Sequence, residues 1–321
     1  MIGIKKLVIA AATGYQPRDL RSFLCSLYAH APDARVVLLV NRESVSFRDD
    51  FVSLHPGVTL VELLDRQERA LYWRRRSQKI WKHLCKRVWL QNVARGLLDR
   101  KPERHTTALL HIALARYFFA RHLLREQYQH AELVLLTDSR DVFFQADPFR
   151  NATRGLVTGL EGPNIEACAF NRSWIADLYE VTGLQQIGSS RIVCSGVTLG
   201  TRTAVVQYLD QMCEEIVRHL PVCAYHHGYD QGIHNWLIHS GVITNATLAS
   251  NGGTEIATLH HTDVDDFDFS ADHGLRTKKG ESIAIVHQYD RKPVLAKWCA
   301  ARWGSTDEFS QSISSQPLWR R

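Results

Sequence analysis

The chain has 321 residues, of which 45% are hydrophobic and 22% charged, the balance of an ordinary folded domain with room for a substantial core. No run of 18 or more apolar residues occurs, which excludes a membrane-spanning helix. The net charge of +6 is local: Arg66–Arg104 holds thirteen Lys and Arg against Glu68, Asp99 and Glu103, a balance of +10 that leaves the remainder near −4.

The first residues, Met1 to Gly14, contain Lys5, Lys6 and a short apolar run. They read as a first strand rather than a signal peptide, whose apolar region is longer and ends at a cleavage site. A helix follows, with Leu20, Phe23, Leu24 and Leu27 at helical spacing. Arg35–Asn41 is a second buried strand, and a weaker helix leads to a third at Val58–Leu64. Strand, helix, strand, helix, strand predicts a mostly parallel sheet covered by helices, with ligands at the carboxyl ends of its strands.

Residues 66–104 form a basic, Trp-bearing insert, with Ile80, Trp81, Leu84 and Val88 on one helical face and Lys79, Lys82, Lys86 and Arg87 largely off it. A strong helix is expected over Thr107–Glu126, then a buried strand over Glu132–Thr137. Beyond it lie a strand at Arg191–Gly200 broken by Ser-Gly, helices at Ala204–Leu220 and Asp230–His239, and a last strand at Ile283–His287. The tail after Gly304 is rich in Ser and Gln. No repeat or linker stands out, so one unit over 1–303 with a loose tail at 304–321 is expected.

Seven scattered cysteines, an odd number with no C-x-x-C, suit neither a disulfide framework nor a zinc site, and point to reduced thiols in a cytoplasmic setting. Asn-x-Ser/Thr triplets begin at Asn151, Asn171 and Asn245 and would matter only in a secreted protein.

Four segments carry candidate chemistry. In Thr137–Phe149 a buried strand delivers Asp138 and Asp141 to a sheet end. Carboxylates there either cap a turn or hold a hard cation such as Mg²⁺ or Mn²⁺ on a diphosphate. In Val193–Val197, Gly196 after Ser195 is either a core bulge or a close approach of backbone to ligand. In Asp230–Asn235, Asp230 is either a helix N-cap or a carboxylate aimed into a cleft. In His287–Pro293, a strand-end His is either structural or a further metal ligand, and Lys292 can neutralise a leaving phosphate.

Taken in order over Leu133–Val294, these segments resemble the GT-A glycosyltransferases, within them the group around glycosyltransferase family 8. That group has an aspartate motif after a central strand, an N/C-S-G-V segment, a D-Q pair, and a late His followed by Lys-Pro. This chain has Asp138-Ser-Arg-Asp141, Cys194-Ser-Gly-Val197, Asp230-Gln231, and His287 with Lys292-Pro293. Its aspartates are spaced D-x-x-D where the family has D-x-D, with Ser139 where the first should stand.

The resemblance implies a GT-A, Rossmann-like α/β fold and a metal-dependent hexosyltransferase using a nucleotide-diphosphate sugar such as a UDP-sugar, acting with retention on a glycan, lipid or protein acceptor. It implies that Asp141 and His287 hold Mn²⁺ or Mg²⁺, with Asp138 sharing the ion or reaching ribose. Ala11, Thr13 and Tyr15 would line the base pocket, and Arg116 would reach sugar or phosphate. Ser195 and Gly196 would lie near the donor sugar, Asp230 and Gln231 would face the anomeric carbon or acceptor, and Lys292 would assist the leaving group. Such a cation and lysine stabilise the negative charge that develops on the departing diphosphate. A metal-dependent nucleotidyltransferase or phosphohydrolase, or a non-catalytic nucleotide-sugar-binding protein, is the alternative.

A literal D-x-D at Asp263–Asp265 has no apolar strand before it and reads as a solvated acidic loop. Residues 66–104 have no nucleic-acid motif with them, so nucleic acid is not expected as a partner. They suit a peripheral contact at the inner membrane face, an anionic acceptor, or a plain solvated surface.

Overall fold

The computed structural model describes residues 5–41, 55–63, 88–100, 110–152, 155–224 and 227–304. The expected helix around Ile80–Lys86, the rest of the insert except 88–100, and the tail from 305 onward lie outside the described residues.

The central sheet has seven strands: β1 (Lys6–Ala11), β2 (Arg35–Val40), β3 (Val58–Glu62), β4 (Leu133–Asp138), β6 (Leu156–Asn164), β7 (Arg191–Thr201) and β8 (Ala246–Ala249). Its order is β3-β2-β1-β4-β7-β6-β8. The neighbours β3, β2, β1 and β4 run parallel, β7 runs antiparallel to both β4 and β6, and β8 runs parallel to β6. This is the mixed, mostly parallel α/β sheet that the strand-helix alternation predicts.

Alternate side chains feed two cores. Leu7, Ile9, Val37, Leu39 and Val134 pack on one face. Helices α3 (Ile112–Glu126) and α5 (Arg202–Arg218) cover them with Leu114, Phe118, Leu209 and Met212, and α2 (Val88–Arg100) adds Ala94 and Leu98. Val8, Ala10, Val36, Leu38 and Leu135 face the other way against Phe23, Leu24 and Leu27 of α1 (Arg21–His30). Each such fully buried side chain stabilises the fold by roughly 1.5–3 kcal/mol.

The α3 helix starts at Ile112, later than the expected Thr107, because the ring of His111 accepts the Ala113 N–H at 3.2 Å and caps it there. Residues 107–109 lie outside the described set. Thr201 likewise caps α5, accepting from Ala204 N–H. The strands expected to reach Leu64 and to begin at Ile283 are shorter, 58–62 and 285–287.

A second sheet of three short strands, β5 (Val142–Phe144), β12 (Ile285–His287) and β9 (Ile256–Thr258), sits beside the first. A hairpin, β10 (Asp268–Ser270) and β11 (Gly274–Arg276), lies farther along. The C-terminal α8 (Pro293–Trp303) buries Leu295, Ala296 and Cys299 with Phe143 and Leu275. Helix α4 (Ala169–Ile187) is bent at Glu180, whose φ of 61° and ψ of −171° are non-helical. A short helix, α6 (Leu220–Cys223), precedes α7 (Tyr229–His239). None of the six described cysteines is in a disulfide. Among the described residues no helix is long and apolar enough to cross a membrane.

Candidate metal and donor-sugar site

Strand order reverses between β1 and β4: β2 and β3 lie on one side of β1, and β4 begins the other half of the sheet. At such a switch point the strand ends diverge and leave a crevice. Ala11 and Asp138 are register partners at its mouth. The Ser139 hydroxyl, buried, donates to the Ala11 carbonyl at 2.7 Å and ties the two strand ends together. Ser139 thus faces inward, and the chain turns so that Asp138 and Asp141 share one side.

The third member arrives through backbone pairing. His287 closes β12 opposite Val142 of β5, and the Gln288 N–H donates to the Asp141 carbonyl at 2.7 Å. Its Nε2 lies 3.5 Å from Asp138 Oδ2 and 3.8 Å from Asp141 Oδ2. One ligand atom from each of the three residues falls within 4.8 Å of the others. Nε2 is buried and has no hydrogen-bond partner. Buried polar atoms are rarely left unmatched, so an orphaned imidazole nitrogen beside two carboxylates fits a divalent cation. Two oxygen ligands of three favour a hard ion.

The electrostatics agree. Burial raises the Asp138 carboxyl, but Arg116 and His287 outweigh it and hold the group well below the usual carboxylate range. Asp141 is pushed up to about 6 by burial, with the Asp138 charge adding and His287 opposing. Burial disfavours a charged His287, yet Cys194, whose Sγ lies 3.6 Å from Nδ1, and the two carboxylates hold its ring well above the usual histidine range. The trio is therefore short of positive charge.

Gly196 lies under the trio. The β7–β6 register shifts between Thr158 and Gly159, so Ser195–Val197 bulges, and the Thr158 hydroxyl closes the bulge by donating to the Cys194 and Val197 carbonyls. A Cβ at Gly196 would overlap His287 Cε1 and lie 2.7 Å from both Asp138 Oδ2 and His287 Nε2. The Ser-Gly break is thus a bulge, and its bare glycine lies against two side chains.

Arg116, from α3, donates to Asp138 Oδ1 at 2.5 Å and Asp230 Oδ2 at 2.9 Å, with the Ser195 carbonyl at 3.5 Å. It is the internal cation between two carboxylates. Asp230 does not cap its helix: Gly228 occupies the N-cap, where φ is 91°, and the buried Asp230 side chain turns to Arg116 and to the Ser195 hydroxyl, 3.5 Å away. Gln231 points elsewhere, its Nε2 donating to Asn171 Oδ1 at 3.1 Å and lying 3.5 Å from Glu161 Oε1. His234 is a core residue between the Tyr208 hydroxyl (2.8 Å) and Thr158 (3.2 Å), and burial pushes its ring down to about 3.

A small, partly open pocket adjoins the site, walled by Ala11, Arg116, Thr137, Ser195 and Tyr208 among others. Thr13 and Tyr15 lie on the loop after β1. That loop is turned by Gly14 (φ 75°), whose N–H donates to Asn41 Oδ1 at 3.0 Å. The Arg140 guanidinium sits 6.0 Å over the Tyr15 ring. The half-buried Lys292 caps α8, and with Arg291 it acts on His260, whose ring burial and these cations push down to about 4. The structure therefore gathers Asp138, Asp141, His287, Gly196, Ser195, Arg116 and Asp230 at one crevice, with Gln231 on its flank. The Asp263–Asp265 decoy is an exposed turn on a 3-10 helix, as expected.

Sequence reasoning passed over Glu161 and Asn171, both buried beside Gln231. It also passed over Asn235, whose amide pairs with the Val193 N–H and carbonyl at 2.8 and 2.9 Å and pins α7 to β7. Asn171 opens an Asn-x-Ser triplet, but its burial removes it as a glycan acceptor. No local signal marks these three, since their roles come from packing between β6, α4 and α7.

No protein-family model matches the sequence, and no curated protein matches it either. Solved structures do. An active-site mutant of LgtC aligns with a TM-score of 0.51 over 98% of this chain and 99% of that one, at 15% identity. The fold is that of the GT-A glycosyltransferases. A second structure, the galactosyltransferase LgtC with donor and acceptor sugar analogs, aligns with a TM-score of 0.49 at 16% identity, again over 98% of this chain and 99% of that one. A GT-A sheet reverses its strand order beside β4 in this chain, which is where the Asp-Asp-His trio sits.

Proposed function

We propose that this chain is a metal-dependent glycosyltransferase that moves a hexose from a nucleotide-diphosphate sugar, such as a UDP-sugar, to a glycan acceptor with retention of configuration. The convergence of Asp138, Asp141 and His287 on one point carries this reading. The GT-A fold supports it, and LgtC is a galactosyltransferase crystallised with sugar analogs.

Asp141, His287 and Asp138 would hold Mn²⁺ or Mg²⁺, which when bound supplies positive charge to the diphosphate as it leaves. The protein's own residues do the rest. Arg116 holds Asp138 ionised and fixes its rotamer through a two-pronged contact with Asp230. The bare Gly196 leaves room for Asp138 and His287 to sit together over the bulge. Lys292, at the start of α8, adds a second cation for leaving-group charge, and Tyr15 offers a ring for the base. Gln231, its amide held by Asn171 and Glu161, stays on the flank of the crevice.

Calorimetry of UDP-sugars with and without Mn²⁺ tests this, together with analysis of products. Metal-dependent binding that Asp141→Ala abolishes, with UDP and a glycosylated acceptor as products, is expected. Tight metal-free binding indifferent to that change, or release of pyrophosphate or inorganic phosphate, overturns it.

A further inference from the structure

The strand that carries Gly196 touches both edges of the His287 ring. A methyl at Gly196 would meet Cε1 and Nε2. Two residues earlier on β7, Cys194 sets its Sγ 3.6 Å from Nδ1. Both side chains are buried, Cys194 at 2% and His287 at 1% exposure, so neither can turn to water. Both backbones are pinned. Cys194 pairs with Gly159 of β6, and its carbonyl accepts the Thr158 hydroxyl at 3.1 Å. His287 pairs with Val142 on one side and Thr258 on the other. The sulfur–imidazole contact therefore joins the large sheet to the small one at the metal crevice.

A neutral imidazole has one lone pair to give a cation, and its other nitrogen carries the hydrogen. Nε2 faces Asp138 and Asp141 and has no hydrogen-bond partner. In a ring ready to bind an ion, the hydrogen therefore belongs on Nδ1. A buried N–H requires an acceptor, and among the described residues the group in reach of Nδ1 is the Cys194 sulfur. Behind a metal-bound histidine the acceptor is commonly a carboxylate or a backbone carbonyl. A carboxylate here would add a third buried negative charge beside Asp138 and Asp141, a cost that a neutral thiol avoids. Sulfur is a weak acceptor, but it has only to favour one tautomer over the other.

We propose that Cys194 is a positioning residue for the metal site: its sulfur accepts the Nδ1 hydrogen of His287, selects that tautomer and aims Nε2 at the ion. This rests on the metal-dependent reading above.

Two substitutions separate this role from packing. Cys194→Val fills the space with a group that accepts nothing, whereas Cys194→Ser leaves a small void but keeps an acceptor. A packing role ranks valine at or above serine; the acceptor role ranks serine above valine. The full chain is titrated with Mn²⁺ in the presence of UDP by calorimetry, with thermal melts alongside. Cys194→Ser should stay within roughly threefold of the wild type and Cys194→Val should lose roughly tenfold or more, the range for an outer partner of a metal-bound histidine.

The second readout is ¹⁵N NMR of histidine-labelled chain loaded with Mg²⁺ and UDP, the His287 signals being those missing from His287→Ala. The wild-type ring should carry its hydrogen on Nδ1 with Nε2 bare, and Cys194→Val should show mixed tautomers. Wild-type affinity in Cys194→Val, or valine binding better than serine, overturns the proposal. So does a wild-type ring with its hydrogen on Nε2, a measurement that decides the matter even if a substituted chain does not fold. His287→Ala separates the two levels of inference. If it binds Mn²⁺ as tightly as the wild type, the three-residue metal site falls and the role of Cys194 with it. If it loses the ion while Cys194→Val does not, only the role of Cys194 falls.

Discussion

Gly196→Ala probes the site through a single methyl group. The added Cβ would stand 2.7 Å from Asp138 Oδ2 and from His287 Nε2, and closer still to His287 Cε1. Unstrained carbon contacts lie near 3.5–4.0 Å, so something must move by roughly 1 Å. His287 has little freedom to retreat, because its backbone pairs with β5 and β9 and Cys194 Sγ stands 3.6 Å behind its Nδ1. Asp138 is gripped by Arg116 at 2.5 Å. Overpacking of this kind costs about 1–3 kcal/mol of stability, and a ligand misplaced by ~1 Å costs about 100-fold in function.

Gly159→Ala supplies the control. Its Cβ would lie 2.9 Å from Ile256 Cγ2 and Thr258 Oγ1, a similar crowding that touches none of the three ligands. Calorimetric titration of each variant with Mn²⁺ in the presence of UDP, alongside thermal melts, separates the two effects. Both variants should melt a few degrees lower, and only Gly196→Ala should lose about 100-fold in ion affinity. Wild-type affinity in Gly196→Ala would mean that the ion does not bind between Asp138 and His287, and the reasoning fails.

Asp141→Asn should retain the fold and reduce Mn²⁺ affinity by at least tenfold, since a carboxylate ligand becomes a neutral amide; unchanged affinity in the same titration would contradict the assigned role. Arg116→Met leaves Asp138 and the buried Asp230 facing each other without their cation. A loss of about 3–5 kcal/mol is expected, on the order of 10 °C in Tm, and saturating Mn²⁺ should recover part of it by neutralising Asp138. Glu215 is raised by burial, but His219, Arg218 and Tyr179 outweigh this and hold its carboxyl below the usual range. A depressed carboxyl stabilises the fold above its unfolded pKa, and that contribution fades as pH falls through the folded value. Glu215→Gln should therefore lower stability at neutral pH and make the acid limb of a Tm-against-pH curve shallower. Glu180→Gly should raise stability by about 1 kcal/mol, because φ 61° with ψ −171° is comfortable only for glycine; a melt at or below the wild-type temperature would show that the bend carries no strain.

The parallel half of the sheet was legible because its strands announce themselves. Leu7–Ala10 and Val36–Val40 are continuous apolar runs, as strands buried on both faces must be. The antiparallel half was harder. β6 runs through Gly159, Pro163 and a register shift, so no period survives in its sequence. α4 was missed because Glu180 breaks its phase: Ile175 and Leu178 mark one buried stripe, and Gly183 and Ile187 continue it after the bend. The aspartates and His287 could be picked out because carboxylates and a histidine at strand ends are conspicuous. Arg116 could be named only by resemblance, and its bonding to Asp138 and Asp230 had no sequence sign. Its partners lie 22 and 114 residues away, a separation that only the packing of α3 against the sheet resolves.

The D-x-x-D spacing follows from the same geometry. In a D-x-D pair on a turn, two carboxylates reach one point across a single residue. Here Ser139 is drawn inward to the Ala11 carbonyl and Arg140 outward over Tyr15, so the chain spends one more residue before it can return a side chain to the crevice. That residue is Asp141, and its position is fixed from outside the turn, by the Gln288 N–H on its carbonyl and by the β5–β12 pairing that starts at Val142. The extra residue therefore does not loosen the site. It moves control of the second carboxylate from the turn to the small sheet, which also delivers His287, so that two of the three side chains are positioned by one set of backbone hydrogen bonds and the third by Arg116.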